Sequence, residues 1–132
     1  MSVAVLIVDD DKAVRFFHQV IVAQSGLANN PFCFANAKDV LQYFDENYTN
    51  GDIYLLLLDI NMPVMNGWDL LDTIENKPYK SQVYVVMVTS SVDRADHEKA
   101  NGYSMVLDVI EKPITDDACK KIFELSSIAQ HL

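Results

Sequence analysis

Five short apolar runs alternate along the chain with longer mixed segments. They are Val3 to Val8, Phe32 to Ala35, Ile53 to Leu58, Val83 to Val88 and Met105 to Ile110. Runs this continuous suit strands covered on both faces, as in a parallel sheet. Turn signals precede several of them: Asn29-Asn30-Pro31, Asn50-Gly51 and Asn101-Gly102.

The intervening segments carry helical spacing. Asp11 caps a helix over about Lys12 to Gln24, which Gly26 closes. Asn36 precedes Val40, Leu41 and Phe44. Asn66 caps a helix bearing Trp68, Leu71 and Ile74, ended before Pro78. Asp93 to Ala100 reads as a short polar helix. Thr115 or Asp116 opens the last, with Ile122, Phe123, Leu125 and Ile128. Its acids Asp116 and Asp117 come first and Lys120 and Lys121 later, as the helix dipole favours. Five strand–helix pairs predict a doubly wound α/β domain with right-handed crossovers.

The length of 132 residues fits one domain over 1–132, with no second domain expected to follow. Half the residues are apolar, enough for a sizeable core. A net charge of -9 argues against nucleic acid and an anionic membrane as partners. It favours divalent cations or basic protein patches. Cys33 and Cys119 match neither a zinc spacing nor a disulfide framework, so reduced, buried or half-buried thiols are expected. No signal peptide or bilayer-length apolar run is visible, and a cytoplasmic protein is expected.

In open α/β sheets, ligands bind at the carboxyl ends of strands. Here the first strand ends in Asp9-Asp10, the third in Asp59 and the fourth in Thr89-Ser90. Lys112-Pro113 follows the fifth. A parallel sheet brings all of them to one rim. Three clustered carboxylates repel, so they favour a cation. Oxygen ligands with few protein donors suit Mg²⁺, which keeps several waters. Cation, Lys112 ammonium and Thr89 hydroxyl together can neutralise a phosphoryl group in transfer to a carboxylate. Each residue also has a plainer reading. Asp9 and Asp10 could be loop acids, Asp59 a turn acid, Thr89 and Ser90 caps, and Lys112 a solvated lysine. The plainer readings have to hold at four strand ends together.

In order and spacing, several segments resemble the receiver domain of bacterial response regulators. They are Leu6-Ile7-Val8-Asp9-Asp10-Asp11, Leu57-Leu58-Asp59-Ile60-Asn61-Met62-Pro63, Met65-Asn66-Gly67, Val88-Thr89-Ser90 and Lys112-Pro113. The resemblance implies a five-stranded parallel sheet in the CheY-like order 2-1-3-4-5. It implies that Asp59 accepts phosphate from a sensor histidine kinase or phosphotransfer protein. Asp10 then resembles the direct Mg²⁺ ligand, Asp9 a ligand acting through water, and Asn61 the donor of a backbone carbonyl to the metal. Thr89 resembles the hydroxyl that moves onto the phosphoryl group, and Lys112 the lysine that pairs with its oxygens. Ser90 matches the small residue that leaves the site open. Pro113 matches a proline whose preceding bond is commonly cis, and Gly67 a glycine of the loop after the acceptor strand. Readout falls to an unknown downstream protein, and the chain is expected to be a monomer or weak dimer.

One position departs from the family. Three residues before the lysine, where Tyr or Phe usually acts as a switch, stands Val109. Tyr103 is too far back to replace it directly. Trp68 is expected to pack near the site. The first helix carries a wide apolar band, with Val14, Phe17 and Ile21 on one line beside Phe16 and Val20. Either one line docks a partner helix, or the loop ahead of Pro31 covers the excess. His18, His97 and His131 read as surface residues. Two rival functions are a receiver fold that signals without phosphate and a phosphatase with an aspartyl-phosphate intermediate. The second lacks a general acid, because Asn61 stands where haloacid-dehalogenase-like phosphatases place their second aspartate.

Overall fold

A computed structural model describes residues 3–90 and 92–125. The strands are β1 (Val3–Val8), β2 (Phe32–Phe34), β3 (Ile53–Asp59), β4 (Val83–Thr89) and β5 (Val106–Glu111). The helices are α1 (Lys12–Ser25), α2 (Ala37–Asn47), α3 (Gly67–Ile74), α4 (Arg94–Ala100) and α5 (Asp116–Glu124). A short 3₁₀ turn, Lys80–Gln82, leads into β4. The sheet is wholly parallel, in the order β2-β1-β3-β4-β5. This is the predicted doubly wound α/β fold. The expected continuation of the last helix past Leu125, with Ile128 and His131, lies outside the described residues.

The strand positions follow from burial. All seven residues of β3 are buried, as a central strand covered on both faces requires. Successive side chains feed opposite layers. Leu6, Val8, Leu56, Leu58, Val85 and Met87 join Phe44, Leu70, Leu71, Ile74 and Tyr79 beneath α2, α3 and α4. Val5, Ile7, Leu55, Leu57, Val86 and Val88 join Val22, Ile114, Cys119 and Ile122 beneath α1 and α5. β5 starts at Val106, one residue later than expected, and the β4–β5 register shifts between Val85 and Val86, where Leu107 is skipped. Met105 still accepts the Val85 amide at 2.8 Å.

Caps fix the helix starts, each worth about 1 kcal/mol. The Asp11 carboxylate accepts the Ala13 and Val14 amides, and Thr115 accepts that of Ala118. Asn66 and Asp69 form a reciprocal capping box on α3. Gly26 closes α1 at φ 83°, the left-handed conformation that a Cβ disfavours. Among the described residues, no helix is long and apolar enough to cross a membrane.

Two expectations need correction. His18 is not a surface residue: it is 2% exposed and accepts a hydrogen bond from Ile114. It shares the inward row of α1 with Val14 and Val22, four residues before and after it, where an apolar side chain would normally sit. Cys33 is exposed rather than half-buried, whereas Cys119 is buried; both are free thiols. The loop before Pro31 does not cover the outer band of α1, for Phe16 is 68% and Phe17 45% exposed.

Candidate functional site

The parallel sheet delivers its carboxyl ends to one rim, and there the acids divide their work. Asp9 follows β1, and its amide donates to the Phe34 carbonyl of β2. Its Oδ1 accepts the Asp11 amide at 2.9 Å. Asp10 is exposed at the rim, while Asp11 is spent on capping α1. Asp59 is the last residue of β3 and is 1% exposed. One carboxylate oxygen from each of Asp9, Asp10 and Asp59 lies within 4.8 Å of the others.

Lys112 reaches this cluster from the loop after β5. Its Nζ lies 2.8 Å from Asp9 Oδ2 and 3.3 Å from Asp59 Oδ1. Its own amide donates to the Thr89 carbonyl at 2.7 Å, so the end of β4 sets its height above the rim. The Lys112–Pro113 bond is cis. The Asn61 amide donates to Asp59 Oδ1 at 3.2 Å. Asp59 Oδ2 is buried and has no hydrogen-bond partner.

That environment shifts both charged groups. Burial, then the nearby Asp9 charge, push Asp59 up to about 6, although Lys112 and the Asn61 amide pull the other way. Burial works to lower Lys112, but its bonds to Asp9 and the charges of both acids outweigh this and raise it. An unpaired buried carboxylate oxygen beside two other acids is poised for a cation or for a new bond.

Other expected site residues fall at the same rim. Thr89 is buried at the end of β4. Ser90 is exposed and shares with Lys112 and Pro113 the wall of a cavity of about 380 Å³ against α1. Asn61 is exposed in the loop after β3. Gly67 opens α3, where a Cβ would sit 2.7 Å from the Asp59 carbonyl oxygen. Only glycine lets α3 start this close to the acceptor strand.

Val109 is buried in the layer beneath α2, α3 and α4, and has no ring to exchange between inside and outside. The aromatic contact nearby is different. Trp68 of α3 stacks on Tyr103 at 5.6 Å, and the Tyr103 hydroxyl donates to Asp72 at 2.7 Å. Lys99 lies over the Trp68 ring at 5.2 Å. This α3–α4 tie was not visible in the sequence, because its partners are separated by a strand and a helix. His18 was also missed; the four-residue spacing Val14, His18, Val22 is the signal that marks it.

Residues 5–124 match the family model of the response regulator receiver domain. The chain is 31% identical over 134 aligned residues to the C4-dicarboxylate transport transcriptional regulatory protein DctR of Rhodobacter capsulatus. That alignment covers 99% of this chain and 62% of DctR. It is 35% identical to the transcriptional regulatory protein DcuR of Escherichia coli, over 83% of this chain and 44% of DcuR. The chain therefore spans less than two thirds of either relative. A two-component response regulator from Cytophaga hutchinsonii has the same fold, with a TM-score of 0.84, 24% identity and 98% of each chain covered. The chain belongs to the response regulator receiver domain family.

Proposed function

We propose that Asp59 is a phosphoacceptor and that the chain relays a signal through its phosphorylated state. The observation that carries this is Asp59 Oδ2, buried without a partner, while Oδ1 is held by Lys112 and the Asn61 amide. One oxygen is anchored and the other is left to react. In the step, Asp59 forms a P–O bond as the P–N bond to a donor phosphohistidine breaks. The imidazole leaves with the electron pair. Lys112 swings from carboxylate to phosphoryl oxygen, keeping its charge at the centre where negative charge gathers. Thr89 supplies a hydroxyl at the same rim.

The donor set fits Mg²⁺. Asp10 and Asp59 offer carboxylates, Asp9 a carboxylate through water and Asn61 a backbone carbonyl. When bound, Mg²⁺ supplies positive charge to the phosphoryl oxygens. The donor is a sensor histidine kinase or phosphotransfer protein, and a downstream protein reads the result by contact. The exposed Phe16, Phe17 and Val20 of α1 support such a docking face beside the site. The residues of the phosphoacceptor site assist loss of the phosphate to water. Turnover of external phosphoesters is not expected, because Asn61 offers no general acid.

Incubation with Mg²⁺ and acetyl phosphate followed by intact mass tests the reading. The parent gains one phosphoryl group or consumes the donor rapidly; Asp59→Asn does neither. A parent that behaves like Asp59→Asn overturns it and leaves a receiver fold that signals without phosphate.

A further inference from the structure

The loop that carries Lys112 is held by the Lys112 ion pairs, by the buried Ile114 side chain and by two backbone hydrogen bonds. The Lys112 amide is given to the Thr89 carbonyl. Pro113 has no amide proton to give. The next amide, that of Ile114, is buried and donates to Nε2 of His18 at 3.0 Å. His18 lies in the middle of α1, 96 residues away. The loop is thus fastened to β4 on one side and to α1 on the other.

α1 is itself tied to the acidic end of β1. Its N-cap, Asp11, gives its amide to Asp9 Oδ1 at 2.9 Å. The Arg15 guanidinium donates to the Asp9 carbonyl at 2.7 Å. Lys112 Nζ then meets Asp9 Oδ2 at 2.8 Å. A ring of polar contacts closes from Asp9 through α1, His18, Ile114 and Lys112 back to Asp9. Between α1 and the loop lies the cavity walled by Val14, Phe17, His18, Ser90, Lys112 and Pro113. Packing of Ile114 fixes the far side of the loop, and the directional hydrogen bond to His18 fixes its backbone on the cavity side.

We propose that His18 is a positioning residue for phosphoryl transfer: its Nε2 holds the Ile114 amide and so the backbone that sets Lys112 between Asp9 and Asp59. This rests on the phosphoacceptor reading of Asp59. To accept the amide, Nε2 is unprotonated and the ring carries its proton on Nδ1. Burial favours that neutral form, lowering His18 below the ordinary imidazole range against the opposing pull of Asp9 and with the aid of Lys112. A side chain that only filled the core would need no acceptor. An apolar one would leave the Ile114 amide buried and unpaired.

The test compares the parent with His18→Leu and His18→Gln in phosphate uptake from acetyl phosphate with Mg²⁺. Leucine keeps the bulk and loses the acceptor; glutamine presents an oxygen at a similar reach. His18→Leu is expected to slow uptake by about ten- to a hundred-fold, the range a small misplacement of a catalytic group produces. His18→Gln restores most of the rate. Both variants keep the rise in melting temperature caused by Mg²⁺, because β1 and β3 place the cation's acids. A leucine variant as fast as the parent overturns the inference. So does a glutamine variant as slow as leucine, or loss of the Mg²⁺ effect along with the rate. If His18→Leu does not fold, the glutamine variant decides alone, with parent-like uptake in support and slow uptake against. A parent that takes no phosphate overturns the phosphoacceptor reading and the positioning role together. An uptake that ignores His18 overturns the positioning role only.

Discussion

Among the described residues, two buried side-chain oxygens have no hydrogen-bond partner: Asp59 Oδ2 and the hydroxyl of Tyr79. They sit in opposite surroundings. Tyr79 is 1% exposed within an aromatic cluster, its ring 4.6 Å from that of Phe44 and 5.4 Å from that of Tyr48. Burial, then the charge of Asp45, push its phenol up to about 12, so it is neutral at pH 7. Its deficit is one missing hydrogen bond, offset by ring packing. Asp59 is as deeply buried but stands beside two more acids and a lysine, at the open rim of the sheet. Its deficit is electrostatic, and positive charge at this rim would offset it. The same kind of unpaired atom thus lies among neutral rings in one place and among charged groups at the sheet's rim in the other.

The comparison yields three graded expectations. The largest is cation binding. Mg²⁺ in about a thousand-fold excess over its Kd should stabilise the fold by about 4.1 kcal/mol, through mass action. Asp10→Ala should lose most of that gain in thermal melts, while Tyr79→Phe keeps it. A parent whose melting ignores Mg²⁺ breaks the contrast at its root.

Next comes the charge on Asp59 itself. Its folded-state value, about 6, lies above the ordinary 3.8, so the folded form holds the proton more tightly. Without metal, the ionised carboxylate costs stability at neutral pH. The cost is absent below about pH 4, grows as pH rises to about 6 and then levels off. Asp59→Asn should therefore be more stable than the metal-free parent at pH 7, by about 3 kcal/mol at most. The difference should shrink toward pH 4 in paired denaturant titrations. A difference that is flat across this window removes the electrostatic deficit.

The smallest effect belongs to the other oxygen. Tyr79→Phe removes a polar atom with nothing to bond and leaves the ring stack in place. Stability should rise, by about 1 kcal/mol or less. A clear loss in chemical denaturation would show that the hydroxyl does have a partner.

Much of this was legible in the sequence because it depends on local order. Continuous apolar runs identify strands buried on both faces, and Asp11, Asn66 and Thr115 announce helix starts by their side-chain chemistry. Parallel strands then bring Asp9, Asp59, Thr89 and Lys112 to one rim wherever they lie in the chain. What escaped depends on contacts between distant elements. The spacing of Val14, His18 and Val22 marks His18 as inward-facing, but its partner, the Ile114 amide, lies 96 residues away and shows only in the folded chain. Tyr103 meets Asp72 and Trp68 only after α3 and α4 stand side by side. The strand order itself came from family resemblance, since five similar apolar runs do not say which of them is central.

The most direct measurement traps the acyl phosphate. The protein is loaded from acetyl phosphate with Mg²⁺, reduced with borohydride and cleaved into peptides. Borohydride converts a phosphorylated aspartate to homoserine. The account predicts homoserine at position 59 and an unmodified residue at positions 9 and 10. Homoserine at position 9 or 10, or none in a protein that has consumed the donor, would contradict it.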